Sequence, residues 1–439
     1  MNYNRYDVAV MNYPLFSEKE NIDIEDKIFG SQETESGPVP LYIHIPFCSS
    51  LCDFCIYNRI LAPKDRTFIE QYVEALVQEI RMYGAHKKLA RQRIESVFIG
   101  GGTPTVLTEP QLYRIVSAVR DCFETEGCEW TIECNPANAG PPKLSLLKDL
   151  GITRISTGVQ TFDRVLRKKM HMQGDDAELV EWLALANRIG FSDVSIDLIY
   201  GFPQTHVSHF LADIAKALTL NLGHISVYKL TVFSYTKLYK AIEQGQAGSL
   251  PSDKTLYTMF LEAHRCLLSN GYLLQSTQEY GRPDRGVKFW DLTYDGYGNN
   301  LSFGVSSYGY LNGYCYQNEP SVAHYIEKIG RQRLPISRIS PKITAEQRME
   351  RAAIMGFRKG YVSKKAFYSV FGKPLFQVFP DLLERHLQQG YIKEEDNGYF
   401  LTEKGLYCQG TVSADYMVSI FRGVSPLKKK MCVGTHEMP

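Results

Sequence analysis

Six short apolar runs recur along the first half of the chain with helical stretches between them, and this alternation restricts the fold more than any other feature. The runs cover residues 42–45, 97–99, 131–134, 155–159, 194–199 and 225–230, and stretches such as 68–82, 111–123 and 178–189 carry helical periodicity. Parallel strands cannot be joined by a tight turn, so each strand–helix repeat implies a right-handed crossover onto one sheet. The expected class is α/β, a partial (β/α)6 barrel whose functional side chains gather at the carboxyl ends of the strands.

Cys48, Cys52 and Cys55 form a C-x3-C-x2-C run just beyond the first of these strands. Three thiolates at this spacing can bind three irons of a [4Fe-4S] cluster and leave the fourth iron open to a ligand. Structural zinc, the competing assignment, takes four ligands, often as two C-x2-C pairs, and no second pair follows. The other cysteines, Cys122, Cys128, Cys134, Cys266, Cys315, Cys408 and Cys432, are diluted over 439 residues and nothing at the start reads as a signal peptide. Reduced cysteines in a cytoplasmic protein are therefore expected. The formal net charge of +1 gives no general attraction for nucleic acid or an anionic surface, and no run of apolar residues is long enough to span a bilayer. At most a peripheral contact with the inner face of a membrane fits.

Residues 1–38 read as an extended, polar, tyrosine-rich lead-in that ends in Ser36-Gly37-Pro38-Val39-Pro40. Residues 39–340 hold the barrel and its extension. Beyond them Thr344 and Gln347 make a capping box ahead of an apolar-periodic helix, helical patterns run to Gln389, and 390–393 with 397–402 read as strand, turn and strand. Residues 341–425 thus resemble a helical, winged-helix-like module, with 426–439 as a tail. A packing or lid role outweighs DNA binding, because no dense Lys/Arg stripe lies on a helix there.

The triplet Gly100-Gly101-Gly102, followed by Thr103-Pro104-Thr105, comes directly after the second strand, where glycine lets backbone approach a ligand closely. Glu133, Gln160 and Asp197 end or lie in the third, fourth and fifth strands, so their polar groups converge on one cleft. His44, four residues before Cys48, is expected to handle protons or touch a cofactor beside the cluster. The aromatic stretch from Phe289 to Tyr297, then Phe303 to Tyr308, suits the wall of a site for a flat apolar ring, and equally an ordinary core.

These segments resemble the radical S-adenosylmethionine enzymes. Tyr42-Ile43-His44-Ile45-Pro46-Phe47-Cys48, the glycine triplet, Gly158-Val159-Gln160 and Asp197-Leu198-Ile199-Tyr200-Gly201 are similar to the oxygen-independent coproporphyrinogen III dehydrogenase superfamily over roughly residues 40 to 425. The resemblance implies a [4Fe-4S] cluster and two molecules of S-adenosyl-L-methionine. Tyr42, Gly101, Glu133 and Tyr308 would touch the cluster-bound molecule, and Phe54, Gly102, Thr103, Gln160, Asp197 and Thr231 would surround the second. Two positions depart from the dehydrogenase pattern: Tyr57 stands where it has a further cysteine, and Met172 where it has an arginine. The missing arginine removes a carboxylate partner.

Both departures argue against porphyrinogen decarboxylation, and the resemblance implies instead a class C radical methyltransferase acting on an sp2 carbon of an aromatic or quinone ring, with His44 and Tyr57 as the candidate catalytic residues. Within that class the chain is most similar to the enzymes that methylate the naphthoquinone ring of menaquinone. Its partners would be a small-molecule or lipid-quinone acceptor and an electron donor such as flavodoxin or ferredoxin, without nucleic acid. Oxidative decarboxylation of coproporphyrinogen III and haem-binding chaperone activity are the alternatives.

Replacement of Cys48, Cys52 or Cys55 by alanine should each abolish the broad visible iron–sulfur absorbance and the formation of 5′-deoxyadenosine. Cys122→Ala and Cys408→Ala should keep both, and loss of the cluster in that pair would overturn the ligand assignment.

Overall fold

The computed structural model describes residues 13–16, 24–30, 37–87, 89 and 92–421. The tail expected over 426–439 and Cys432 lie outside them. Strands β1 (Val39–Ile45), β2 (Ile94–Gly101), β3 (Glu129–Cys134), β4 (Arg154–Gln160), β5 (Asp193–Tyr200) and β6 (His224–Lys229) are successive parallel neighbours in one sheet. The expected apolar runs lie within these strands, except that the last extends one residue past β6, to Leu230. Helices Thr67–Gly84, Glu109–Cys122 and Asp176–Ile189 lie in the crossovers. The last shows how local sequence sets its ends: Asp175 and Glu178 form a capping box, and Gly190 closes it at φ 87°.

The sheet has nine strands, three more than the apolar runs imply. Strand β8 (Leu301–Phe303) adds in parallel to the outer edge of β1, with Leu41 opposite Leu301 and Ile43 opposite Phe303. On the other edge β7 (Glu279–Gly281) runs antiparallel to β6, and Leu273–Leu274 pairs antiparallel with β7. Such short strands carry too few residues for a period to register.

Beyond the sheet, Thr344 caps helix Ala345–Lys359 together with Gln347. Ile392–Glu395 and Gly398–Leu401 form an antiparallel hairpin, and Tyr361–Ser363 is its third strand.

The lead-in is not simply extended. It contains a helix, Ile24–Phe29, whose Phe29 ring stacks 4.2 Å from His86. Tyr13 is wholly buried. Its hydroxyl bonds to Glu350 and lies 3.2 Å from that of Ser419, and its carbonyl accepts from Arg351 Nη1 at 2.9 Å. The polar composition of the lead-in hid this, because a tyrosine can bury its ring once its hydroxyl finds a partner.

Glu79, on helix Thr67–Gly84, ties that helix to the outer edge of the sheet. Wholly buried, it accepts from the N–H of Gly304 at 2.7 Å, the side-chain amide of Asn318 at 2.6 Å and the Tyr325 hydroxyl. Gly304, at φ +91°, lets the chain leave β8 under β1, where a Cβ would stand 2.5 Å from the His44 carbonyl. Burial outweighs the three donors and raises the Glu79 carboxyl from 4.5 to about 7. The folded protein therefore holds this proton more tightly than the unfolded chain. The stability it contributes is full below the ordinary carboxyl range and is lost as pH rises through about 7. Glu79→Gln cannot ionise. Between about pH 5 and about pH 8, urea melts should show the variant gaining on the wild type by up to about 3 kcal/mol. A difference that stays constant over this range would mean that the donors already hold an ionised carboxylate.

Candidate functional site

The chain leaves β1 at Ile45 and at once forms a two-residue strand, Phe47–Cys48, whose parallel partner is Ile60–Leu61. The N–H of Ile60 donates to Pro46 at 2.7 Å and that of Ala62 to Cys48 at 2.8 Å. Residues 49–59 are thereby closed at the base into a loop that carries Cys52 and Cys55, all three cysteines being free thiols. Asn58 fixes the exit from the loop. Its carbonyl lies 2.9 Å from His44 Nε2, and its amide donates to the Pro320 carbonyl at 2.8 Å and to the Ser306 hydroxyl.

The glycine triplet lies against this loop, and each member makes room for something specific. A Cβ at Gly100 would stand 2.8 Å from a Glu133 oxygen, at Gly101 2.6 Å from the His44 ring, and at Gly102 3.0 Å from the Cys48 sulfur. Gly101 also has φ +114°, and its N–H donates to Glu133 at 2.8 Å. Beyond β2 the N–H groups of Gly102 and Thr103 donate to Ile45 and Phe47, carrying the pairing forward to the cysteines. The Thr103 hydroxyl points at the Cys48 sulfur from 3.7 Å.

Burial dominates the electrostatics. It pushes the Cys52 thiol up to about 12, with the neighbouring Cys55 and Cys48 adding to the shift. Burial and then the charge of Asp197 raise Glu133 to about 8, against the Gly101 donor. Burial and then Glu279 raise Asp197 to about 7. Asp197, Ser226 and Glu279 stand opposite one another on β5, β6 and β7. Glu279 collects the hydroxyls of Ser226 at 2.8 Å and Tyr228 at 2.9 Å, with His224 Nε2 at 3.1 Å. Three alternate residues of β6 thus meet one carboxylate.

Tyr57 is 61 % exposed, yet the charges of Glu133, Asp197 and Cys55 all reach its hydroxyl. Gln160, the last residue of β4, has φ +65°, a strained conformation for a non-glycine residue, and its buried Oε1 has no partner.

Of the other residues singled out in the sequence, Tyr42 donates its hydroxyl towards His44 Nδ1 at 3.0 Å and stacks on Phe98. His44 therefore has both ring nitrogens engaged, and burial lowers it to about 4. This corrects its expected role as a proton handler: it is a neutral brace between β1, the cysteine loop and Gly101. The Phe54 ring packs edge-on against Phe202 in an apolar cluster with Leu166, Met170 and Leu238, and Met172 packs against the same cluster. Thr231 lies at the end of β6 with its hydroxyl 3.5 Å from the Lys229 carbonyl. Tyr308 is partly exposed, stacks on Phe16 and accepts from Gln317 at 2.8 Å. Phe289 and Trp290 pack on Phe98 and on each other, as a wall beside Tyr42.

Sequence reasoning missed Asn58, Arg59 and the Glu279 group. Arg59 was within view, four residues after Cys55, whereas nothing local marks Glu279.

The residues present fit a [4Fe-4S] cluster and S-adenosylmethionine. Three free thiols lie in one closed loop and at its base, a hydroxyl is aimed at one sulfur, and the buried Gln160 amide oxygen has no partner. Among the described residues no three such side chains are gathered tightly enough for a single ion. A cluster requires the wider spread, since each thiolate meets a different iron.

Residues 42–216 match the radical SAM superfamily and 343–408 the HemN C-terminal domain. Heme chaperone HemW of Bacillus subtilis is 30 % identical over 83 % of this chain and 95 % of its own length. Oxygen-independent coproporphyrinogen III oxidase of Pseudomonas aeruginosa is 26 % identical over 91 % of each chain. The solved coproporphyrinogen III oxidase of Escherichia coli shares the fold, with a TM-score of 0.74 at 24 % identity over 86 % of this chain and 90 % of that one. These names overturn the methyltransferase expectation and its menaquinone acceptor: the relatives that span most of the chain are named for heme and porphyrinogen. The cofactors are a [4Fe-4S] cluster and S-adenosylmethionine. Loop, glycine triplet, barrel and carboxyl-terminal module together make this chain a member of the radical SAM superfamily, in the branch that holds heme chaperone HemW and the oxygen-independent coproporphyrinogen III oxidases.

Proposed function

We propose that the chain is a radical S-adenosylmethionine oxidoreductase acting on a tetrapyrrole, with coproporphyrinogen III as the first candidate substrate. The observation that carries this reading is the set of polar groups at the strand ends: Glu133 accepts from the Gly101 N–H, Asp197 lies near enough to raise the Glu133 carboxyl, and the buried Gln160 amide oxygen has no partner. When bound and reduced, the cluster and S-adenosylmethionine supply a 5′-deoxyadenosyl radical, which abstracts hydrogen from a substrate carbon.

The protein's own residues orient the reactants and keep bulk water out. Glu133, oriented by the Gly101 N–H, and Gln160 offer acceptors to amine and hydroxyl donors. Asp197 shares the Ser226 hydroxyl with Glu279, so a cation arriving beside it favours release of its proton. Met172 supplies no carboxylate clamp. Arg167 does not replace it, since its donors are taken by the carbonyls of Val159, Thr161, Gln173 and Gly174.

The second reading is a heme chaperone without turnover, favoured by the 30 % identity to HemW over nearly all of that protein's length. Anaerobic incubation of the reconstituted protein with reductant, S-adenosylmethionine and either coproporphyrinogen III or heme separates the two. The proposal expects 5′-deoxyadenosine to form in step with a mass change of one tetrapyrrole, and loss of carboxyl groups if coproporphyrinogen III is the substrate. Unaltered tetrapyrrole, no stimulation of 5′-deoxyadenosine and a heme Soret band retained on the protein would establish the chaperone instead.

A further inference from the structure

Arg59 belongs to the cysteine loop itself. Its Nη2 donates to the Cys52 carbonyl at 2.9 Å, its Nη1 reaches the Tyr57 carbonyl at 3.4 Å, and its positive charge acts on the Cys55 thiol between them. The root of this side chain is immobilised on both sides. Ile60 is paired to Phe47, and Asn58 is held by His44, Ser306 and Pro320. The guanidinium therefore spans the loop from the Cys52 carbonyl to the Tyr57 carbonyl, across Cys55, on a fixed base.

Two arginines carry charge to these thiols, Arg59 and Arg167. The donors of Arg167 are taken by backbone carbonyls outside the loop, so Arg59 is the one that binds the loop directly. Among the acids, Glu133 faces Cys48 and Cys55 from β3, while Asp53 lies 2.9 Å from His171 Nδ1.

We infer that Arg59 is a positioning residue that sets the reduction potential of the iron–sulfur cluster on Cys48, Cys52 and Cys55. A positive charge held beside the cysteine sulfurs favours the more negative, reduced state. The step affected is uptake of one electron from an external low-potential one-electron carrier, with no bond made or broken in the protein. Arginine suits the task better than lysine, because a planar fork can meet two loop carbonyls at once and so fix its charge, whereas an ammonium is a point charge on a flexible stem. The inference rests on the cluster assignment and not on the tetrapyrrole, so either can fail without the other.

The test is an anaerobic, dye-mediated redox titration of the loaded full-length protein, followed by its electron paramagnetic resonance signal. Arg59→Gln should make reduction about tenfold less favourable, a midpoint lower by ~59 mV for one electron. Arg59→Lys, which keeps the charge and loses the fork, should show a smaller fall of the same sign. If the glutamine variant does not retain its cluster, the lysine variant carries the test. A midpoint equal to that of the wild type in whichever variant is loaded, with a raised KM for the tetrapyrrole, would make Arg59 a substrate clamp and overturn the inference.

Discussion

The parallel pairing of Phe47–Cys48 with Ile60–Leu61 is the contact on which the site depends. It closes the cysteine loop with backbone hydrogen bonds, so the positions of the three thiols follow from the sheet and not from the side chains around them. The same ladder continues from β2, where Gly102 and Thr103 donate to Ile45 and Phe47. Cluster loop and glycine triplet are thus two ends of one hydrogen-bonded surface. Its far side is anchored by Glu79, which grips the turn after β8 directly beneath β1. Rigid support of this kind lets a few polar groups be held in a fixed arrangement.

Much of the fold was legible because burial on both faces of a parallel sheet forces runs of valine, isoleucine and leucine, and such runs are visible in any order of reading. The capping box at Thr344 and the triplet at Gly100–Gly102 were legible because they use local chemistry. The rest depends on partners distant in sequence. Ser302, in the middle of β8, breaks its apolar pattern and donates its hydroxyl to the Tyr308 carbonyl, which no local rule anticipates. Glu279 looks like any solvated carboxylate until three residues of β6 close on it. His44 was expected to be reactive because it precedes the cysteines, yet its neighbours in space, Tyr42 and Asn58, occupy both nitrogens.

The methyl-transfer expectation went wrong for an instructive reason. It gave weight to Tyr57 and Met172 as marks of a different reaction. In the structure Met172 packs against an apolar cluster that already holds Phe54, Phe202, Met170 and Leu238. A methionine there fills space among flexible apolar neighbours. A departure of that kind reports how a pocket is filled and leaves the chemistry undecided.

Tyr13 lies 406 residues from Ser419 and 337 from Glu350, yet all three share one buried junction. During synthesis the amino-terminal segment emerges first and has nowhere to dock until both partners have left the ribosome. β1 to β6 can pair earlier, so the core of the sheet forms while the lead-in is still hydrated. Docking of Tyr13 then becomes a late step that follows translation through Ser419. A chain stopped before Glu350 lacks both partners of the Tyr13 hydroxyl and leaves that tyrosine without its dock.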